Sequence, residues 1–164
     1  MKKNQTFSSL QITILVIFRL LIGWHILYEG LAKLLNPGWS SFGFLSESKW
    51  ILSGFADWII SNKAVLDVVD FLNIWGLIAI GTGLILGLFT RVAAFAGVFL
   101  LLLYYLNNPP FIGMEYILPM EGSNLIVNKT LLEIVGLLVL AFFPIHTKFG
   151  LDALFVNCRI KRKK

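Results

Sequence analysis

The chain has 164 residues, of which 57% are hydrophobic and only 14% charged, and its mean hydropathy is +0.81. Soluble domains carry about a quarter charged residues, so this composition excludes an ordinary soluble protein and indicates a membrane protein of one domain, residues 1–164. The net charge is +5, and five of the fourteen basic residues lie between Arg159 and Lys164. We therefore expect a basic cytoplasmic tail at 157–164 that faces anionic lipid, and no nucleic-acid partner.

Four apolar segments predict membrane-spanning helices, and they cover about residues 10–35, 65–89, 91–106 and 125–143. A span needs roughly 17 to 25 residues, so the third segment is marginal in length. Arg91 can snorkel at one end of it, and Tyr104 and Tyr105 can anchor the other. Charged residues interrupt the first segment and no small-residue cleavage site follows it, so we expect a retained helix. The predicted fold is an all-α, four-helix membrane bundle.

Basic residues in the short loops predict the orientation of the chain. Lys2, Lys3, Arg91 and the basic tail fall on one side of the membrane, and most acidic loop residues fall on the other. Because cytoplasmic loops carry the excess of Lys and Arg, we expect a multi-pass protein of the cytoplasmic (inner) membrane. Both termini are then cytoplasmic, and two loops face outward.

Both outward loops are more apolar than solvated linkers. In residues 36–64, helical spacing places five apolar residues on one face, namely Trp50, Ile51, Phe55, Trp58 and Ile59. This pattern predicts an amphipathic helix in the bilayer interface. Residues 107–124 are also apolar, and we expect the two loops to cover the outer end of the bundle.

Small residues recur every four positions on the second and third spans: Ala79, Gly83, Gly87, and then Ala93 and Gly97. Small residues allow helix backbones to approach closely in lipid. Together with the short turn at residues 89–91, they predict an antiparallel hairpin.

Charged residues also occur where lipid is expected. The first span carries Arg19, His25, Glu29 and Lys33. At 100° per residue these side chains occupy a stripe only about 120° wide. A charge inside the membrane costs at least ~2.5 kcal/mol, so the stripe must face protein or water.

The fourth span adds Lys129 and Glu133, and it runs opposite to the first. We expect Glu29 and Glu133 at similar depth, with Lys33 and Lys129 level with each other nearer the outer surface. One interpretation is a structural salt-bridge cluster that joins the two helices. The other is a polar pocket in the outer half of the bilayer, with cations for an anionic substrate and carboxylates for protons.

Three kinds of redox centre are disfavoured by the sequence. The chain has a single cysteine, Cys158, and therefore no C-x-x-C for a thiol relay or an iron–sulfur cluster. His25 and His146 are expected about 20 Å apart in depth, too far to share one haem iron. The grouped ligands are too few for a metal site.

Two sets of polar or aromatic residues have simpler interpretations. Asp67, Asp70 and Asn73 share one side of the second span near its outer end, where solvation explains them. Trp24 and Tyr28 are candidates to border a ring-shaped ligand.

The stretch RLLIGWHILYEGLAKLLNPGWSSFGFL resembles the opening of the DoxX/DoxD family of small four-helix membrane proteins. The family's marks correspond here to Arg19, Gly23, Tyr28–Glu29–Gly30 and Lys33. The following Trp39-Ser-Ser and the long outer loop resemble the DoxD branch, the membrane subunit of thiosulfate:quinone oxidoreductase. The resemblance implies electron transfer from thiosulfate to membrane quinone, with a second subunit or a homo-oligomer as partner.

The charged residues within the spans, together with the family resemblance, indicate which residues would carry the function. The predicted catalytic residues are Glu29, His25 and Glu133, which would deliver protons to quinone. The predicted substrate-binding residues are Arg19, Lys33, Lys129, Tyr28 and Trp24. Quinone is expected as electron acceptor, and haem or metal is not expected in this chain. The alternatives are a non-enzymatic membrane scaffold that recruits redox or envelope partners, and a small dimeric carrier.

Overall fold

A computed structural model describes residues 7–111, 116, 126–143 and 150–152 of the chain. Within them all regular structure is helical. The helices are α1 (Ser9–Leu34), α2 (Phe42–Ser46), α3 (Ser53–Ser61), α4 (Lys63–Leu86), α5 (Thr90–Asn107) and α6 (Lys129–Phe142). The basic tail, Cys158 and His146 lie outside the described residues. The predicted all-α bundle is confirmed.

Among the described residues, three helices are long and apolar enough to cross a membrane: α1, α4 and α5, with 26, 24 and 18 residues. They correspond to the first three predicted spans. The fourth prediction, 125–143, falls on α6, which has 14 residues and is therefore about 21 Å long. That length is below the roughly 30 Å of a bilayer core. Residues 117–125 and 144–149, which flank this segment, lie outside the described residues.

Local sequence explains where the long helices begin and end. Ser8 and Gln11 form a capping box at the start of α1. Asn62 and Asn128 cap α4 and α6 by accepting from the backbone N–H of Ala64 and Leu131. Gly87 ends α4 with φ of 64°, a left-handed conformation that a residue without Cβ adopts at little cost.

The four longer helices alternate in direction, so the bundle has two ends. At the loop end lie Leu34 of α1 and Asn107 of α5, together with α2 and α3. At the hairpin end α4 turns into α5 at residues 87–89, as the small-residue pattern predicts. α1 packs mainly on α4 and α5 mainly on α6, with α4 joining the two pairs. The core is formed by Ile22, Ile26, Leu77, Ile80, Leu84, Ala94, Leu101, Ile134, Leu137 and Leu140.

Glycines determine how closely α1 and α4 approach. A Cβ at Gly81 would lie only 2.5 Å from the backbone nitrogen of Leu27. A Cβ at Gly30 would lie 3.0 Å from the backbone nitrogen of Ile78. In the hairpin, a Cβ at Gly83 would lie 3.3 Å from that of Ala93. Small residues therefore bring backbones together at both contacts of α4.

The outward loops differ from their prediction in one respect. Phe55 and Trp58 of α3 are exposed and their rings stack at 5.8 Å, as an interfacial helix requires. Ile59, which the sequence placed on the same face as Phe55 and Trp58, is instead buried against the protein. Trp50 precedes α3 and packs edge-on against Phe111 at 5.1 Å. The two loops therefore meet, as expected.

At the hairpin end a carboxylate caps a helix from a distant part of the chain. The Asp152 carboxylate accepts from the backbone N–H of Phe89 at 2.8 Å and of Thr90 at 2.9 Å. These are donors at the start of α5, where negative charge is favoured. The Arg91 Nε donates to the carbonyl of Ala141 near the end of α6. Arg91 thus joins α5 to α6, and Asp152 joins the start of α5 to the segment that follows α6.

Replacement of Gly81 by Ala should lower the free energy of unfolding by about 1–3 kcal/mol, because the new methyl meets the α1 backbone. Gly76 provides the control on the same helix, since a Cβ there would meet nothing within 4 Å. Gly76→Ala should be neutral or stabilise by up to about 1 kcal/mol. Unfolding followed by circular dichroism in detergent checks both values, and equal effects would contradict the close α1–α4 contact at Gly81.

Candidate functional site

His25 lies between two carboxylates from two helices. Its Nε2 is 3.2 Å from Oε1 of Glu133 on α6 and 3.7 Å from Oε1 of Glu29, one turn along α1. A proton on Nε2 therefore faces both carboxylates, and the protonated imidazole would form an ion pair with either. The structure brings together all three residues that the sequence assigned to acid–base chemistry. Their catalytic role stays a prediction.

Lys33 lies one turn beyond Glu29 and reaches toward α4 and α5. Its Nζ donates to Oδ1 of Asn73 at 3.0 Å and to the hydroxyl of Tyr104 at 3.3 Å. The same Nζ lies 5.0 Å from the ring centre of Trp39 and 5.2 Å from that of Tyr104, within cation–π range. The Asn73 amide also donates to the Tyr104 hydroxyl at 2.6 Å. These partners of Lys33 are all neutral.

Asn73 and Tyr104 are site residues that sequence reasoning missed. Asn73 was interpreted as solvated and Tyr104 as an interface anchor, yet Asn73 is buried and both contact Lys33. The available signal was their polarity within spans that are otherwise apolar. The periodicity of one helix shows which face a polar residue lies on, but not which other helix packs against that face.

A cavity of about 700 Å³ opens beside Lys33 at the loop end. Its lining residues are Tyr28, Glu29, Ala32, Lys33, Asn36, Trp39, Ser40, Ser41, Gly43, Phe44, Asn73 and Tyr104. The sequence predicted a pocket between α1 and α6, but this cavity lies among α1, α4, α5 and the segment that contains α2. The reason is that α1 packs mainly on α4. Glu29 belongs both to the cavity wall and to the His25 cluster, so it links the two.

The segment before α2 is held over the cavity by a carboxylate of α4. Oδ1 of Asp70 accepts from the backbone N–H of Ser41 at 2.8 Å and from its hydroxyl at 2.5 Å. The ring of Phe44 packs edge-on against Tyr104 at 5.6 Å. Asn107 donates to the carbonyl of Phe44, which fixes this segment to the end of α5. Asp70 therefore shapes the cavity, whereas the sequence suggested a solvated carboxylate.

The remaining predicted substrate-binding residues have different positions. Trp24 and Tyr28 are about 60% exposed on α1, with ring centres 6.5 Å apart, and only Tyr28 lines the cavity. Lys129 begins α6 and is not among the lining residues. Arg19 is buried at the hairpin end, where its guanidinium lies against Gly87. The structure therefore does not bring Arg19 to Lys33.

The cavity wall carries both hydrogen-bond donors and a carboxylate. Lys33 and Asn73 donate within it, Tyr104 carries a hydroxyl, and Glu29 supplies the carboxylate. In the part of the chain that the structure describes, no three His, Cys, Asp or Glu residues form a group able to hold a metal ion.

These features define a small helical membrane protein with a cavity at one end of its bundle, whose mostly apolar wall includes Lys33, Glu29 and Asn73. A family model named DoxX matches residues 14–106, more than half of the chain, and the chain belongs to the DoxX family. The match covers α1 to α5, including the whole cavity, and ends before Glu133. No curated protein and no solved structure matches the chain.

Replacement of His25 and Glu133 by Gln, singly and together, should reveal a coupling free energy of about 0.5–1.5 kcal/mol, because each change removes the same contact. Reversible unfolding in mixed micelles measures the four free energies. The control cycle pairs His25→Gln with Asp67→Asn on exposed α4 surface, and its effects should add within about 0.5 kcal/mol. Additivity in the first cycle would contradict the His25–Glu133 contact.

Proposed function

We propose that this protein is the membrane subunit of a quinone-linked oxidoreductase that passes electrons from thiosulfate, or a related small sulfur anion, to membrane quinone. One observation carries the proposal. A cation held by neutral partners and a carboxylate in contact with histidine share the wall of one cavity. Anion binding and proton delivery would then occur side by side.

The cavity supplies the groups that a small sulfur anion needs. Lys33 has three ammonium protons and uses two of them on Asn73 and Tyr104. The Tyr104 hydroxyl accepts from both residues, so its own proton is left to donate. Anionic oxygens would accept hydrogen bonds from these two groups, and charge-assisted bonds of this kind are the stronger ones.

The lipid-facing side of α1 suits a quinone ring. Trp24 and Tyr28 form an exposed aromatic pair, and Tyr28 also lines the cavity. His25 and Glu29 follow these two residues on the helix and are partly exposed, with 34% and 42% of their side chains accessible. A ring that enters from the membrane between them would contact aromatic surface and a source of protons.

The reaction balances without a further co-reactant. Two thiosulfate dianions lose two electrons in all and join through a new sulfur–sulfur bond as tetrathionate. Quinone supplies the oxidising chemistry, since it accepts the two electrons and two protons as it becomes quinol. The two protons would come from solvent and would reach the quinone through Glu29, with His25 and Glu133 as the relay that their contacts allow. A second subunit or a second copy of the chain would complete the electron path.

We also propose the orientation that the basic loops indicate. Both termini would lie in the cytoplasm, and the loop end would face outward from the cytoplasmic membrane. The sulfur anion would then enter the cavity from outside, and quinone would enter from the bilayer.

Anaerobic quinol formation after addition of thiosulfate to membranes that contain the protein tests the proposal. Glu133→Gln and Glu29→Gln should each lower the rate by about 100-fold or more, the usual effect of removing an acid–base group. Asp57→Asn, on the exposed surface of α3, is the matched control and should keep the rate. The assay is repeated after co-expression with candidate partner subunits.

Two outcomes would contradict the proposal in different ways. Equal rates in the wild type and both Gln variants would support the oxidoreductase activity but show that Glu29 and Glu133 do not deliver its protons. No thiosulfate-dependent quinol in any preparation would favour the scaffold, for which changes to the outward loops, and not to the two carboxylates, abolish function.

A further inference from the structure

The cavity contains a charge arrangement that binding of an anion would disturb. Lys33 is its cation, and the hydrogen bonds of Lys33 that the structure describes go to neutral groups on α4 and α5. Glu29 lines the same cavity one helical turn away. An anion on Lys33 would therefore share the cavity with a carboxylate. Two like charges in one cavity of low polarity disfavour each other.

A route that relieves this repulsion is already present. Glu29 lies 3.7 Å from His25 Nε2, which also contacts Glu133. The three residues can hold one more proton, on a carboxylate or on the imidazole, and so lose one negative charge. The other titratable groups near this region are Lys33 and Tyr28 on α1, Asp70 on α4 and Tyr104 on α5. Lys129 begins α6, four residues before Glu133.

The carboxylate of Asp70 does not offer the same relief. Its Oδ1 already accepts from the backbone N–H and the hydroxyl of Ser41. Asp70 is also not among the residues that line the cavity, so an anion on Lys33 would meet Glu29 and not Asp70 in the cavity wall. Glu29 has no such backbone donor among the described residues, and its contact is the titratable His25.

We infer that the cavity takes up a small anion together with one proton. Lys33 holds the anion, and the Glu29–His25–Glu133 cluster holds the proton. This inference rests on the proposed function and deepens it, because the proton loaded with the anion is the one available for later transfer to quinone. The step itself involves no oxidation. A proton moves from solvent to Glu29 or His25, and the anion exchanges its water for Lys33 and Tyr104.

Calorimetric titration of sodium thiosulfate into the detergent-solubilised full chain tests the inference. The titration is run at pH 7.5 in two buffers whose ionisation enthalpies differ, HEPES and Tris, so the difference in heat gives the number of protons taken up. The wild type should take up about one proton per anion, and its Kd should then rise up to tenfold per pH unit at higher pH.

Glu29→Gln separates the coupling from the binding. This variant should still bind thiosulfate, but with no proton uptake and with a Kd that changes little with pH. Asp67→Asn, whose carboxylate lies on the exposed surface of α4, is the matched control and should keep the uptake of the wild type. Lys33→Gln should lose binding, and circular dichroism confirms that it is folded. Lys33→Arg, which keeps the charge, should retain part of the affinity.

The results that overturn the inference are distinct from those that overturn the function. Thiosulfate binding without proton uptake in the wild type overturns the inference, and so does unchanged uptake in Glu29→Gln. Absence of thiosulfate binding overturns it as well. Quinol formation from thiosulfate in the membrane assay would leave the proposed function standing in each of these cases. If the protein takes up a proton with the anion but forms no quinol, the proposed oxidoreductase function is overturned, and the coupling of anion binding to proton uptake still holds.

Discussion

The close approach of α1 and α4 determines the position of every other part of the site. Helices in lipid gain no hydrophobic free energy from each other, so their contact depends on tight packing and polar bonds. Gly81 allows the α4 backbone to meet that of Leu27, and Gly30 does the same on α1 near Ile78. With these two contacts made, the register of the helices is fixed. Lys33, one turn beyond Gly30, then lies opposite Asn73, and the cavity opens beside them, with Tyr104 of α5 in its wall.

Two polar groups with different chemistry meet on one face of α1. The first is the contact of His25 with Glu29 and Glu133, in which protons can be exchanged. The second is the contact of Lys33 with neutral side chains, in which a positive charge is held without being cancelled at hydrogen-bond distance. Glu29 nevertheless lies one helical turn from Lys33 and lines the same cavity, so these opposite charges are close enough to attract each other. The feature that supports ligand binding is that both charged side chains belong to the wall of one cavity.

The sequence predicted the composition of the site better than its location. The stripe on α1 and the meeting of His25, Glu29 and Glu133 followed from periodicity and depth, because both are properties of single helices. The choice of α4 as the main neighbour of α1 depends on backbone contacts at glycines, which no hydropathy pattern encodes. Asn73 and Tyr104 were missed for this reason. Depth also separated Arg19 from Lys33, since the 14 residues between them correspond to about 21 Å of helix.

Charged residues at the two ends of the bundle have different partners, and the difference bears on function. At the hairpin end, Asp152 and Arg91 bond to backbone groups that helix termini leave without partners, and these charges complete the fold. A cavity of about 500 Å³ also lies toward this end, between α4 and α5, but no charged residue is part of its lining. At the loop end, by contrast, Lys33 and Glu29 belong to a cavity wall. The chemistry that we propose for this chain therefore belongs at the loop end, where Glu29 is part of both polar groups.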